Sequence, residues 1–244
     1  MDRLEAQRRL INLEAALLSR SLTFSPVREP AVEAARFPSL VAIYWGLVDG
    51  NGCPPTPRDF ARAVADDPLV SHLSRPAVLA RAARAYPSLV RQHHFEYLLR
   101  SRFRWVFRGD ELDMAGIDLL LLRNGRAYGI GLSTETAEGR QWHERKQARH
   151  GELPVPVLDL YVEQERSLII GDFWLHPPED VDRVEAFIAR EEAAIFEEAQ
   201  RALGQVYRST ERRPRCSRQD FADGFLGAVG YLRDALTGRD RRSC

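Results

Sequence analysis

The chain has 244 residues, with 35 basic side chains balanced by 35 acidic ones and a hydrophobic fraction of 44%, which is enough to bury a core without disulfide or metal staples. Zero net charge excludes an overall basic field, so a nucleic-acid partner would have to be met by a local patch. Cys53, Cys216 and Cys244 are odd in number and widely spaced. With no apolar signal core and no run near the roughly eighteen apolar residues of a membrane helix, they point to a soluble, cytoplasmic protein with no membrane contact.

Residues 3–20 place Leu4, Leu10, Ile11, Leu13, Leu17 and Leu18 at mostly helical spacing, and Pro26 and Pro30 close the segment. A second helix is predicted from Pro38 to Val48, ending at the turn Asp49-Gly50-Asn51-Gly52, and Thr56-Pro57-Arg58-Asp59 opens a third. The two short helices have the outline of a helix-turn-helix, a spacing equally common in plain helical lids. Residues 76–102 predict one or two helices broken near Pro87.

Strands are predicted over 103–107, 116–122 and 127–132. The last two are joined by the hairpin signal Asn124-Gly125, and Asp110, Glu111 and Asp113 are read as an exposed turn. A polar helical segment covers 136–150, followed by strands at 155–162 and 168–170. A long helix from Glu179 to Arg208 carries Val184, Phe187, Ile188, Ile195 and Phe196 as its buried stripe and offers a surface for oligomer assembly. Beyond it lie a basic loop, Arg212-Arg213-Pro214-Arg215, and a short helix from Phe221 to Leu236. The expected organisation is an N-terminal helical region (1–77), an α/β core (78–176) and a C-terminal helical region (177–244).

Asp118 stands directly before the apolar run Leu119-Leu120-Leu121-Leu122, where a carboxylate is costly unless partnered. Lys146 is the single lysine beside thirty-four arginines and follows Gln141-Trp142-His143-Glu144-Arg145. A compact ammonium can lose its proton, which a guanidinium does not. Helical spacing groups Trp142, Arg145, Lys146 and Arg149 with Arg140 nearby, a basic and aromatic face suited to phosphate contact or base stacking. Its plainer reading is a solvated charged face with one tryptophan packed on the sheet.

The order helix, antiparallel strands with an acid, helix, strand over about residues 78–162 resembles the PD-(D/E)XK nuclease family, and Ala115 to Leu122 looks like that family's second core strand. The resemblance implies a restriction-endonuclease-like mixed sheet flanked by helices, acting as a Mg2+-dependent DNA phosphodiesterase. Asp118 matches the aspartate that opens the second strand, and Glu96 is the implied carboxylate of the first helix. The match departs at the next strand, where Gly131 and Ser133 occupy the positions of the family's acid and lysine. A migrated site would draw on Glu138 as the acid, with Lys146 or Arg140 approaching the phosphate. Two or three carboxylates gathered at one sheet edge hold Mg2+, which activates water and neutralises charge on the scissile phosphate.

Plainer readings stand beside these. Glu96 has Arg100 four residues on, the spacing of a helical ion pair, and His93 and His94 fit packing or capping roles. The expected function is DNA cleavage in processing or defence. The alternative is a catalytically inactive nuclease-fold subunit that binds nucleic acid or a protein partner.

Overall fold

The computed structural model describes residues 1–23, 25–136 and 155–211, except the side chains of Asp110 and of residues 203–211. The first helices are α1 (Arg3–Leu18), α2 (Pro30–Ala34), α3 (Leu40–Asn51) and α4 (Pro57–Ala65). Three of their starts are fixed locally. The side chains of Asp2, Ser39 and Thr56 accept from the amides of Glu5, Ala42 and Asp59, satisfying donors that a helix start leaves over. The helix α3 runs through Asp49-Gly50-Asn51, where the sequence predicts a turn, and stops at Gly52 with φ 67°, a left-handed cap that glycine adopts without strain. The short α2, which the sequence pattern does not predict, begins with Pro30, whose fixed φ suits a first helical position.

One continuous helix, α5 (Arg75–Arg100), replaces the predicted break at Pro87. A proline inside a helix costs about 3 kcal/mol, and packing along both halves of α5 outweighs it. Every residue from Leu89 to Leu99 is buried. Next come β1 (Trp105–Phe107), the short α6 (Asp110–Met114) in place of the predicted acidic turn, β2 (Leu119–Arg123), β3 (Arg126–Thr134) and β4 (Val157–Val162). They form a sheet in the order β1-β2-β3-β4, in which the first three strands are antiparallel and β4 lies parallel to β3. Asn124 and Gly125, at φ 51° and 76°, make the two-residue hairpin turn. A second hairpin pairs β5 (Leu168–Ile170) with β6 (Phe173–Leu175), and α7 (Glu179–Glu211) follows. The architecture is mixed α/β, the class the sequence predicts.

Two hydrophobic clusters share α5. The first gathers Leu13, Leu17, Tyr44, Trp45, Phe60, Val64, Tyr86 and Val90 with Ile170, Phe173 and Leu175 of the second hairpin. In the second, Leu119, Leu121, Tyr128, Ile130 and Leu160 pack on Phe95, Leu98 and Leu99 of α5 and on Val181, Val184, Phe187 and Ile188 of α7. The predicted stripe of α7 is therefore shorter than expected. Ile195 is only half-buried and Phe196 is 64% exposed, because the helix continues past its packing surface. Among the described residues no helix is long and apolar enough to cross a membrane.

Candidate functional site

Alternation along β3 turns Tyr128, Ile130 and Leu132 toward the second cluster and Gly129, Gly131 and Ser133 toward the opposite face. In the parallel pairing Gly131 lies opposite Asp159, and Ser133 opposite Tyr161. A Cβ built on Gly131 would stand 2.2 Å from Asp159 Oδ1, so the carboxyl group of Asp159 occupies the space above the glycine. Gly131 lies outside the left-handed region. Room for a neighbouring side chain, not backbone conformation, is what glycine provides here.

Asp118 reaches the same stretch of β3 from the other side. Leu119 is the residue opposite Ile130, yet the Asp118 amide also donates to the Ile130 carbonyl at 3.0 Å, which marks a one-residue bulge at the start of β2. Beyond the bulge the Asp118 carboxylate takes over from the strand, with Oδ2 accepting the Leu132 amide at 2.6 Å. Asp118 and Asp159 thus engage adjacent residues of β3, one from each flanking strand. The Ser133 hydroxyl, two residues from Gly131 on the same face, is buried without a hydrogen-bond partner among the described residues. Carboxylates and an orphaned hydroxyl are hard oxygen donors of the kind Mg2+ takes, and that ion usually needs only one or two carboxylates because water and phosphate complete its shell. Among the described residues no group of three or more His, Cys, Asp or Glu side chains is placed to hold a metal, so the donor set fits Mg2+ only in that sparse mode.

The α5 residue that reaches Asp118 is not Glu96. Gln92 Nε2 donates to the Asp118 carbonyl at 2.5 Å, whereas Glu96, one turn further on, is fully buried and held elsewhere. Its Oε1 accepts from Arg100 at 2.6 Å and its Oε2 from Arg108 at 2.8 Å, and Arg108 in turn lies over the Trp45 ring at 3.5 Å and contacts Asp49. The i,i+4 pair with Arg100 agrees with the spacing in sequence. Arg108 could not be foreseen, since it depends on the sheet's position against α5. The expected convergence of Glu96 with Asp118 is therefore not what the structure brings together.

The neighbouring polar residues of α5 have separate partners. The Nδ1 atom of His93 is 3.0 Å from the Tyr44 hydroxyl, and Nε2 of His94 is 2.9 Å from Glu14. Burial holds His93 well below the usual imidazole range. Arg91 Nε donates to the Trp174 carbonyl at 3.0 Å. Burial pushes the Arg91 guanidinium down to about 10, and Asp118 acts in the opposite sense, so the two charges are close enough to interact. His176 and Asp180 form a buried pair at 2.7 Å, extended by Arg183. Burial lowers His176 despite the carboxylate.

Lys146, Glu138, Arg140, Trp142, Arg145 and Arg149 lie outside the described residues. Asp159 is the group that the sequence pattern does not single out, although an acid inside Val157-Leu158-Asp159-Leu160 interrupts an apolar strand much as Asp118 precedes one.

Fold and site together define a mixed α/β protein whose sheet carries carboxylates on both flanks of its longest strand. No protein-family profile, no curated protein and no solved structure matches the chain.

Proposed function

We propose that the chain is a metal-dependent DNA phosphodiesterase on a restriction-endonuclease-like core formed by α5 and β1 to β4, with Asp159 as the migrated second carboxylate. The observation that carries this reading is the position of the Asp159 carboxyl group over Gly131, beside the residue whose amide Asp118 holds. Element order supports the core: a helix, a three-stranded antiparallel meander, and a strand parallel to the third. Asp118 and Asp159 would hold Mg2+, which when bound neutralises charge on a scissile phosphate and activates water. Gln92 fixes the backbone at Asp118 and so orients that carboxylate.

The test is calorimetric titration of Mg2+ and Mn2+, followed by cleavage of single- and double-stranded DNA, with wild type, Asp118→Asn and Asp159→Asn. Wild-type cleavage that falls at least about a hundredfold in both variants, with melting temperatures preserved, is the expected result. Cleavage by Asp159→Asn at the wild-type rate would overturn the assignment of Asp159. No metal binding and no cleavage by wild type would overturn the enzyme reading.

A second reading has its own support. Glu96 is fully committed to Arg100 and Arg108, and Asp118 Oδ2 serves a backbone amide. Carboxylates used in this way suit a nuclease-fold subunit that binds DNA without cutting it, and its signature is DNA affinity indifferent to divalent metal.

A further inference from the structure

We infer that Arg91 is the anion-binding residue of the Asp118 site and that its guanidinium takes a non-bridging oxygen of a phosphodiester. This rests on the phosphodiesterase reading for the identity of the ligand, but not for the existence of the anion site. Arg91 is 7% exposed and stands on α5 directly before Gln92, the residue that touches the Asp118 backbone. It forms no ion pair among the described residues, and Nε is its one nitrogen with a hydrogen-bond acceptor there. Asp118 offsets part of its charge from beyond ion-pair distance, but a buried guanidinium whose remaining donors lack acceptors is still unfavourable.

The two terminal nitrogens are not among the sealed polar atoms that lack partners. The residue as a whole keeps 7% of its surface exposed. Arginine's planar fork is suited to phosphate oxygens, and the bond from Nε to the Trp174 carbonyl fixes the plane of that fork in advance. Asp118 and His176 lie within electrostatic reach of it, and His176 is itself paired with Asp180, whose other oxygen accepts from Arg183. Asp118 supplies the local negative charge, and a divalent cation or a proton shared with the ligand would offset its repulsion of an anion.

The experiment measures binding of inorganic phosphate and of a thymidine dinucleotide phosphodiester by calorimetry at pH 7, without divalent metal, for wild type, Arg91→Lys and Arg91→Gln. The expected result is dinucleotide affinity reduced at least about tenfold in Arg91→Gln, the loss of one charge-assisted pair, and partly restored in Arg91→Lys. Wild-type binding of phosphate alone, lost in Arg91→Gln, would support the anion site and assign it to a free or terminal phosphate. Folded Arg91→Gln that binds both ligands as wild type does, or wild type that binds neither, would overturn the inference. Should Arg91→Gln fail to fold, Asp118→Asn carries the test: removal of the opposing charge raises anion affinity several-fold if Arg91 holds the ligand, and an unchanged affinity refutes it. Because no metal is present, these outcomes stand apart from the cleavage assay that decides the enzyme reading.

Discussion

The two hydrophobic clusters are threaded on one helix but are built differently. The first is a helical assembly in which aromatic rings meet edge to face, with Tyr44 against Trp45, Phe60 and Tyr86, and Tyr86 against Phe173. The second is a sheet face filled by aliphatic side chains and closed by α5 and α7. Between them, α5 buries Arg91, Gln92, His93, His94 and Glu96 within six residues, each directed to a different element. The contrast shows how one helix can pack into two differently built cores and, between them, hold polar groups by hydrogen bonds to elements on both sides.

The strongest way to break that comparison is to empty one cluster and watch the other. Phe95 is fully buried in the second cluster, and Phe95→Ala is expected to cost about 3–5 kcal/mol. Because α5 is shared, denaturant unfolding followed by circular dichroism and by tryptophan fluorescence should remain a single coincident transition at a lower midpoint. Two separate transitions would show that the clusters are independent units.

The polar stretch is tested next. Glu96→Gln leaves Arg100 and Arg108 facing a neutral group and should cost about 3 kcal/mol, measured by urea denaturation, with affinity for Mg2+ unchanged. A parallel loss of metal affinity would return Glu96 to the ligand set.

A smaller effect comes from pH. The folded protein holds His93 and His176 below the ordinary value of 6.5 through burial, so below that value the unfolded chain binds protons that the native state does not. Stability is therefore fully present above pH 6.5 and falls as pH drops below it, by up to about 1.4 kcal/mol per pH unit for each histidine. Denaturation midpoints between pH 8 and pH 5 should show this slope, and replacing His93 by Phe should reduce it.

The smallest expected change in stability sharpens the site instead. Gly131→Ala places a methyl group where the Asp159 carboxylate lies. The end of a side chain can swing away, so the loss should be about 1 kcal/mol or less. Cleavage, by contrast, should fall as far as in Asp159→Asn. Full activity in Gly131→Ala would separate the position of Asp159 from function.

Much of the local structure was legible because it is encoded locally. Asn124-Gly125 demanded left-handed backbone, and Thr56-Pro57 supplied a cap followed by a proline at the first helical position. Glu96 and Arg100 were neighbours by helical spacing alone. The middle of α5 was not legible in the same way, because a helix buried on every side is expected to be apolar, whereas here its polar residues are matched by partners up to 83 positions away. Asp118 stood out against an apolar run. Its partnership with Leu132 required a bulge that no residue type announces, and the nearness of Asp159 to Gly131 depends on the register of two parallel strands, which the sequence does not state.

The hairpin of β5 and β6 adds a consequence for how the chain is made. Ile170, Phe173 and Leu175 complete a cluster otherwise formed before residue 98, and Asp172 accepts the amide of Leu22 at 2.8 Å. The aromatic floor under Tyr86 is missing until Phe173 has been synthesised. A ribosome that has released only the first hundred residues holds helices with an open side, and the nascent chain closes its earliest core with some of its later residues.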